Sequence, residues 1–220
     1  MKPVIVVNFK TYKQGKSAVN LARSVGRISK QVILAVQASD IYEINKVTKG
    51  KTSVYCQHVD FQKPGKGTGF ILAEAVKKDG ARGSLLNHSE HHLRFEILKK
   101  TAKRCKEQKL KMILCASSLK EVKKILKLKP EAVAFEIKSL IGTGEAISRE
   151  KPESVKKFAE LVKRFNKKNK TRILALCGAG ISKAEDVKEA LRLGCVGVLV
   201  ASAVVKSRNP EKLLREMLRV

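Results

Sequence analysis

The chain has 220 residues, 43% of them hydrophobic, which is enough for one well-filled core and too few for two enzyme-sized domains. No apolar run approaches the roughly 18 residues needed to cross a bilayer, and the start lacks the apolar stretch and cleavage site of a secretory signal, so a cytoplasmic protein with no membrane segment is expected. The 47 Lys and Arg against 20 Asp and Glu give a formal net charge of +27, which predicts an anionic partner: a metabolite concentrated at a cleft, or a polyanion held non-specifically.

In chain order, short apolar runs that end in a polar or small residue alternate with stretches of 3.6-residue periodicity. The first three strand candidates are Pro3 to Asn8, Val32 to Val36 and Ser53 to Gln57. The Pro64 to Phe70 loop follows, with Gly65, Gly67 and Gly69; Lys66 precedes Gly67 instead of Ser or Thr, so it is not a nucleotide P-loop. Strands are next expected at Gly83 to Asn87 and Met112 to Cys115, the latter followed by a helix start with Ser118 and Glu121 as a capping box. After Ala132 to Glu136 comes a helix with Val155, Phe158, Ala159, Val162 and Phe165 on one face. Its end, Lys163 to Arg172, is the densest basic patch, and without interleaved aromatics it reads as a solvated helix end. The last strands are Ile173 to Cys177 and Val196 to Val200; Ser182 with Glu185 is a second capping box, and Asn209-Pro210 opens a final helix whose stripe is Leu213, Leu214, Met217 and Leu218.

Apolar residues on successive strand positions mean that both faces are buried, as in a parallel sheet covered by helices. Eight strand-helix units without a Pro/Gly/Ser-rich linker favour a single closed α/β (β/α)8 barrel, a TIM barrel, spanning residues 1–220 as one catalytic domain, over an open doubly wound sheet. The five cysteines, Cys56, Cys105, Cys115, Cys177 and Cys195, are odd in number and never spaced C-x-x-C, so they read as reduced thiols without a disulfide framework or a cysteine zinc site.

Reactive groups of such a barrel sit at the carboxyl ends of its strands. Those ends offer Asn8 and Lys10, then Asn87, His88 and Glu90, then Glu136, with small residues after the last two strands. A desolvated carboxylate can take a proton, a neutral imidazole can polarise a carbonyl, and an ammonium can hold charge developing on oxygen. Proton abstraction beside a carbonyl needs those three groups. The small-residue turns Gly178 to Ser182 and Ala201 to Ala203 suit a phosphate, and Ile141-Gly142-Thr143-Gly144 suits a lid whose glycines absorb backbone rotation. His88, His91 and His92, at i, i+3 and i+4, would hold a metal only if all three lay on one helical face, and His88 ends a strand.

Four strings, V-N-F-K-T-Y at Val7 to Tyr12, N-H-S-E at Asn87 to Glu90, F-E with L-I-G-T-G from Phe135 to Gly144, and C-G-A-G-I-S at Cys177 to Ser182, together resemble triosephosphate isomerases, and the short length resembles the archaeal members. The resemblance implies interconversion of dihydroxyacetone phosphate and D-glyceraldehyde 3-phosphate through an enediolate, in glycolysis and gluconeogenesis. It implies Glu136 as the base, His88 as the electrophile, Lys10 and Asn8 as electrostatic and positioning residues, and Glu90 as the carboxylate beside the histidine. Substrate contacts are implied at Asn8, Phe9, Lys10, Ile141, Gly142, Gly180, Ala201 and Ser202. No metal or organic cofactor is implied. A homo-oligomer, dimer or tetramer, is implied with the Thr68-Gly69 loop at its interface. Two departures stand out: His91-His92 replaces a pair of arginines, and Ile137-Lys138-Ser139 replaces a proline after the base. Losing that proline releases φ and predicts slower lid closure or a raised KM. The competing functions are isomerisation of another sugar phosphate on the same barrel, and a catalytically weakened barrel that binds nucleic acid.

Overall fold

The computed structural model describes residues 2–137 and 146–220. Eight parallel strands close into a barrel in chain order: β1 (Val4–Asn8), β2 (Val32–Val36), β3 (Ser53–Cys56), β4 (Gly83–Leu86), β5 (Lys111–Ala116), β6 (Ala132–Phe135), β7 (Leu174–Cys177) and β8 (Gly197–Val200). Each falls within one residue of its expected bounds at both ends. Closure is made by β1 against β8, with Val4 opposite Gly197 and Val7 opposite Val200. The helices that cover the barrel are α1 (Gly15–Val25), α2 (Ile41–Thr48), α3 (Ala73–Lys78), α4 (Phe95–Glu107), α5 (Leu119–Leu126), α6 (Ile147–Glu150), α7 (Pro152–Asn169), α8 (Ala184–Arg192), α9 (Ser202–Val205) and α10 (Pro210–Met217). None of the described helices is long and apolar enough to cross a membrane.

Two apolar clusters explain why the strands do not alternate in polarity. Val6, Ala35, Tyr55, Leu85, Ile113, Cys115, Ala132, Ala134, Leu176 and Leu199 fill the barrel interior. Their strand neighbours, such as Ile5, Val7, Leu34, Val133 and Cys177, pack outward against the helices. The side-chain period of two sends alternate residues to opposite faces, and here both faces are apolar. Tyr55 is the bulkiest interior residue and needs Gly83 beside it, because a Cβ there would overlap the Tyr55 ring. On the outer side Phe158 of α7 stacks on Phe135 of β6 at 5.1 Å between centroids; truncating so deeply buried a ring costs about 3–5 kcal/mol.

The expected helix starts are partly corrected. Asn209 caps α10 as expected, its side chain accepting from the Lys212 amide at 3.1 Å, with Pro210 at the first position. Ser118 accepts from the Glu121 amide at 3.2 Å, but the Glu121 carboxylate turns to the Ser117 amide at 2.8 Å instead of closing a reciprocal box. At α8 the cap lies one residue later than expected, at Lys183. Asp186, not Glu185, reaches back to the amides of Ser182 and Lys183 at 2.8 and 3.1 Å. The shift places Asp186, fully buried, under the Gly178 to Ser182 turn. All five cysteines are buried and unpaired.

Candidate active site

The interior period of two, continued past the last full layer, builds the site. Val6 points inward, so Asn8 does; Ala134 points inward, so Glu136 does; Leu176 and Leu199 carry the pattern to Gly178 and Ala201. At β4 the pattern would spend its next inward place on Asn87. Instead Asn87 takes a left-handed φ of 61°, and its side chain turns to β5 and α5. Its amide donates to the Cys115 carbonyl at 2.9 Å and to Glu121 Oε1 at 2.8 Å, while its Oδ1 accepts from the Leu93 amide at 3.0 Å. The break in the strand presents the next residue, His88, to the cavity.

That cavity, about 290 Å³, is lined by Asn8, Lys10, Tyr12, His88, Glu136, Ala179 to Ser182 and Leu199 to Ala203. His88 Nε2 and Glu136 Oε2 lie 3.6 Å apart, with both side chains under 10% exposed. Glu136 Oε2 has no hydrogen-bond partner among the described residues and is available to take a proton. The Glu90 amide donates to His88 Nδ1 at 3.2 Å, so the neutral imidazole carries its proton on Nε2, toward the cavity. Lys10 also has a left-handed φ, 46°, fixed by its own amide donating to Asn8 Oδ1 at 3.0 Å. Its Nζ reaches Glu90 Oε1 at 2.7 Å. Glu90 thus acts at one remove, holding Lys10 by its carboxylate and His88 by its amide.

Behind the base lie Gly178 and Cys115. A Cβ on Gly178 would sit 2.5 Å from Glu136 Cγ, so only glycine leaves the carboxylate its place. Burial first, and then the charge of Glu136 beside it, holds the Cys115 thiol well above its ordinary pKa, so it stays a neutral floor to the site. At the far end of the cavity, Ala179 and Gly180 hold consecutive left-handed conformations, φ 67° and 70°. Left-handed residues in succession expose their amides on one side, the geometry of an anion nest. Among the described residues the amides of Gly180 and Ser202 donate to no backbone carbonyl.

Of the residues named from sequence, Asn8, Lys10, His88, Glu136, Gly180, Ala201 and Ser202 meet in one cavity, with Glu90 at its edge. Phe9 does not: it is fully buried in the core between sheet and helices, because the strand period turns it away from the cavity that Asn8 faces. Ile141 and Gly142, with the rest of the expected lid, lie outside the described residues. The three histidines do not converge, since residues 88–92 precede the first helical residue of α4. His91 packs against His58 with centroids 4.2 Å apart and the rings tilted by 36°, and His92 Nε2 pairs with Glu121 Oε1 at 2.9 Å. His92 thereby supplies a hydrogen-bond partner for Glu121 at a position where the resemblance leads one to expect arginine.

Tyr12 was not singled out by sequence reasoning, yet it lines the cavity mouth and carries Lys206 Nζ 4.2 Å above its ring centroid. Its place two residues after Lys10 was a readable signal; the partnership with Lys206, from the far end of the chain, was not. Glu121 and Cys115 were missed for the same reason, their importance lying in tertiary contacts with Asn87 and Glu136.

Comparison with known proteins gives a family match described as triosephosphate isomerase over residues 3–217. A triosephosphate isomerase of Methanocaldococcus jannaschii is 40% identical, over 98% of this chain and 99% of the relative. Those of Saccharolobus solfataricus and Sulfurisphaera tokodaii are 39% and 36% identical, each over 98% of this chain and over 95% and 94% of the relative. With the barrel, the strand-end residues and a match of this length in agreement, the chain belongs to the triosephosphate isomerase family.

Proposed function

We propose that this protein interconverts dihydroxyacetone phosphate and D-glyceraldehyde 3-phosphate, acting over residues 1–220 as one catalytic domain. The observation that carries the reading is the facing pair of His88 Nε2 and Glu136 Oε2, 3.6 Å apart beside Lys10, with an amide-lined turn at the opposite end of the same cavity. A phosphate anchored near Gly180 and Ser202 leaves the triose carbons between the carboxylate and the imidazole.

Glu136 removes a proton from the carbon next to the carbonyl. The electron pair of that C–H bond becomes the C–C double bond of an enediolate, and negative charge gathers on the carbonyl oxygen. His88 Nε2–H and the Lys10 ammonium hold that charge. The hydroxyl proton on the deprotonated carbon passes to the former carbonyl oxygen, the Glu136 carboxylic acid returns its proton to the former carbonyl carbon, and the new carbonyl forms where the hydroxyl was. A buried carboxylate and preformed donors need little reorganisation during the step. Another sugar phosphate would require further polar groups for its extra hydroxyls, and the lining of this cavity supplies few.

Two coarser readings complete the proposal. The loop from Pro64 to Phe70 is closed at its base by Asp60, whose amide donates to the Ile71 carbonyl and whose carboxylate accepts from the Ile71 amide, both at 2.8 Å. It carries Phe70 outward at 47% exposure, which supports a homo-oligomer built through this loop; light scattering coupled to chromatography measures its state. A cytoplasmic site is the reading that fits five unpaired thiols.

A coupled assay with purified protein tests the activity. Wild type turns over both triose phosphates, and Glu136→Gln loses several orders of magnitude in kcat/KM. Equal rates in the two proteins would end the reading.

A further inference from the structure

The charge of this chain is unevenly placed. Seven corners lead from a helix C-cap to the next strand on the amino-terminal rim of the barrel, the face opposite the cavity: residues 26–31, 49–52, 79–82, 108–110, 127–131, 170–173 and 193–196. Together they hold ten Lys and Arg against two acids, Asp79 and Glu131, a net +8 in 30 residues. Among the described residues, the strand-to-helix segments on the other rim hold six against four, a net +2 in 46 residues. All ten cations of the corners are exposed, and none is in an ion pair among the described residues.

Four of the ten occupy positions that favour glycine. Lys49, Lys109, Lys129 and Lys170 follow the ends of α2, α4, α5 and α7 with φ of 51°, 55°, 48° and 50°. These are left-handed helix ends, in which glycine or asparagine is the usual residue because a Cβ crowds the following carbonyl. The same rim shows the alternative, since the turns after α3 and α8 use Gly80 and Gly194 at φ 96° and 97°. Compensation of the helix dipole does not explain the lysines. The last turns of α4, α5 and α7 already carry Lys106, Lys124 and Lys168, and a cation there is sufficient. Four cations thus stand where the backbone favours glycine.

We propose that the amino-terminal rim is a docking surface for the phosphate backbone of duplex nucleic acid. None of the seven corners contains Phe, Tyr, Trp or His, so the rim has nothing on which unpaired bases would stack, and what it offers is spaced positive charge. Such a surface neutralises phosphates and releases their counterions. It lies on the opposite face from the cavity lined by Lys10, His88 and Glu136, so the two sites are separate, and the proposal stands whatever the cavity catalyses.

The test is fluorescence anisotropy of a labelled DNA duplex with the full chain, across a salt titration. Three proteins are compared: wild type; the triple Lys109→Gly, Lys129→Gly, Lys170→Gly; and a triple of equal charge change, Lys16→Gln, Lys120→Gln, Lys156→Gln, in the opposite halves of the helices. Each lost phosphate contact lowers the slope of log K against log salt by about 0.9, so the corner triple is expected to lose about two to three from the slope and the second triple less than about one. Glycine is the residue these turns favour, so the corner triple keeps its fold. Should its melting temperature fall, Lys30→Gln, Lys51→Gln, Lys127→Gln replaces it on the same rim, with the same slope loss expected. Equal loss in both triples would reduce the effect to bulk charge, and an unchanged slope in the corner variants would remove the surface. Displacement of the duplex by polyglutamate at equal charge concentration would overturn the assignment to nucleic acid.

Discussion

Left-handed backbone outside glycine occurs at seven described residues, and the two rims of the barrel divide them: Lys10, Asn87 and Ala179 above, Lys49, Lys109, Lys129 and Lys170 below. Above, each is held by specific partners. Lys10 is fixed through Asn8, Asn87 is tied by three side-chain hydrogen bonds, and the Ala179 carbonyl accepts from the Ile147 amide at 3.2 Å. Below, the lysine side chains reach only solvent and the backbone makes ordinary helix ends. The same conformation therefore serves two ends. On the upper rim it aims a particular atom, and a change of side chain or of angle there should alter the proposed chemistry. On the lower rim it carries charge, and any neighbouring cation could share the task.

The sharpest way to break this contrast is to make the same substitution on both rims. Lys10→Gly relaxes the backbone but removes the ammonium, and kcat/KM should fall by about 10³-fold or more. Lys129→Gly should leave kcat/KM unchanged and raise the unfolding free energy by about 0.5 kcal/mol, as read in urea melts. Next in size is Gly178→Ala. The new Cβ would displace Glu136, and because a misplacement near 1 Å can cost about 10²-fold, steady-state kinetics should show kcat down by about 10- to 100-fold with the barrel still folded by circular dichroism. Ile137→Pro should have a smaller effect, lowering KM by about two- to fivefold through a narrower φ at the expected hinge; unchanged kcat and KM would remove that role for the missing proline.

The smallest effect concerns the pair that secures Asn87. Burial opposes ionisation of Glu121, yet the Ser117 amide, Asn87, His92 and the Ser117 hydroxyl together hold its carboxyl below the ordinary value. A carboxyl with a depressed folded-state pKa adds stability above its unfolded value, near 4.5, and loses it as pH falls through the folded value. Urea melts should therefore show wild type losing stability below about pH 4.5, with a shallower acid limb in Glu121→Gln. His92→Ala, removing a mostly exposed partner, should cost less than about 1 kcal/mol at neutral pH.

The barrel was legible because its strands are apolar on both faces and end in polar or small residues; the strand period of two then carries Asn8 and Glu136 inward without further information. Where tertiary contact decides the outcome, the sequence was mute. Phe9 sits within the matching string V-N-F-K-T-Y, yet the same period turns it into the outer core. In sequence Asn87 is one more strand-end polar residue; its left-handed backbone and its bonds to β5 and α5 exist only in the folded barrel. The cap at α8 slipped by one residue because Asp186, buried at its third position, outcompetes Glu185. The basic corners were visible only as a total charge, since their common rim appears once the barrel closes.

Glu136 is the group proposed to move the proton at the upper rim. Isomerisation run in deuterium oxide and followed by proton NMR tests it directly. In wild type, product should carry solvent deuterium on the carbon that receives the proton, because a carboxylic acid exchanges with solvent before it returns what it took. Glu136→Gln should lose both isomerisation and exchange together. Product formed by wild type without any solvent deuterium, or exchange persisting at the wild-type rate in Glu136→Gln, would contradict the assignment.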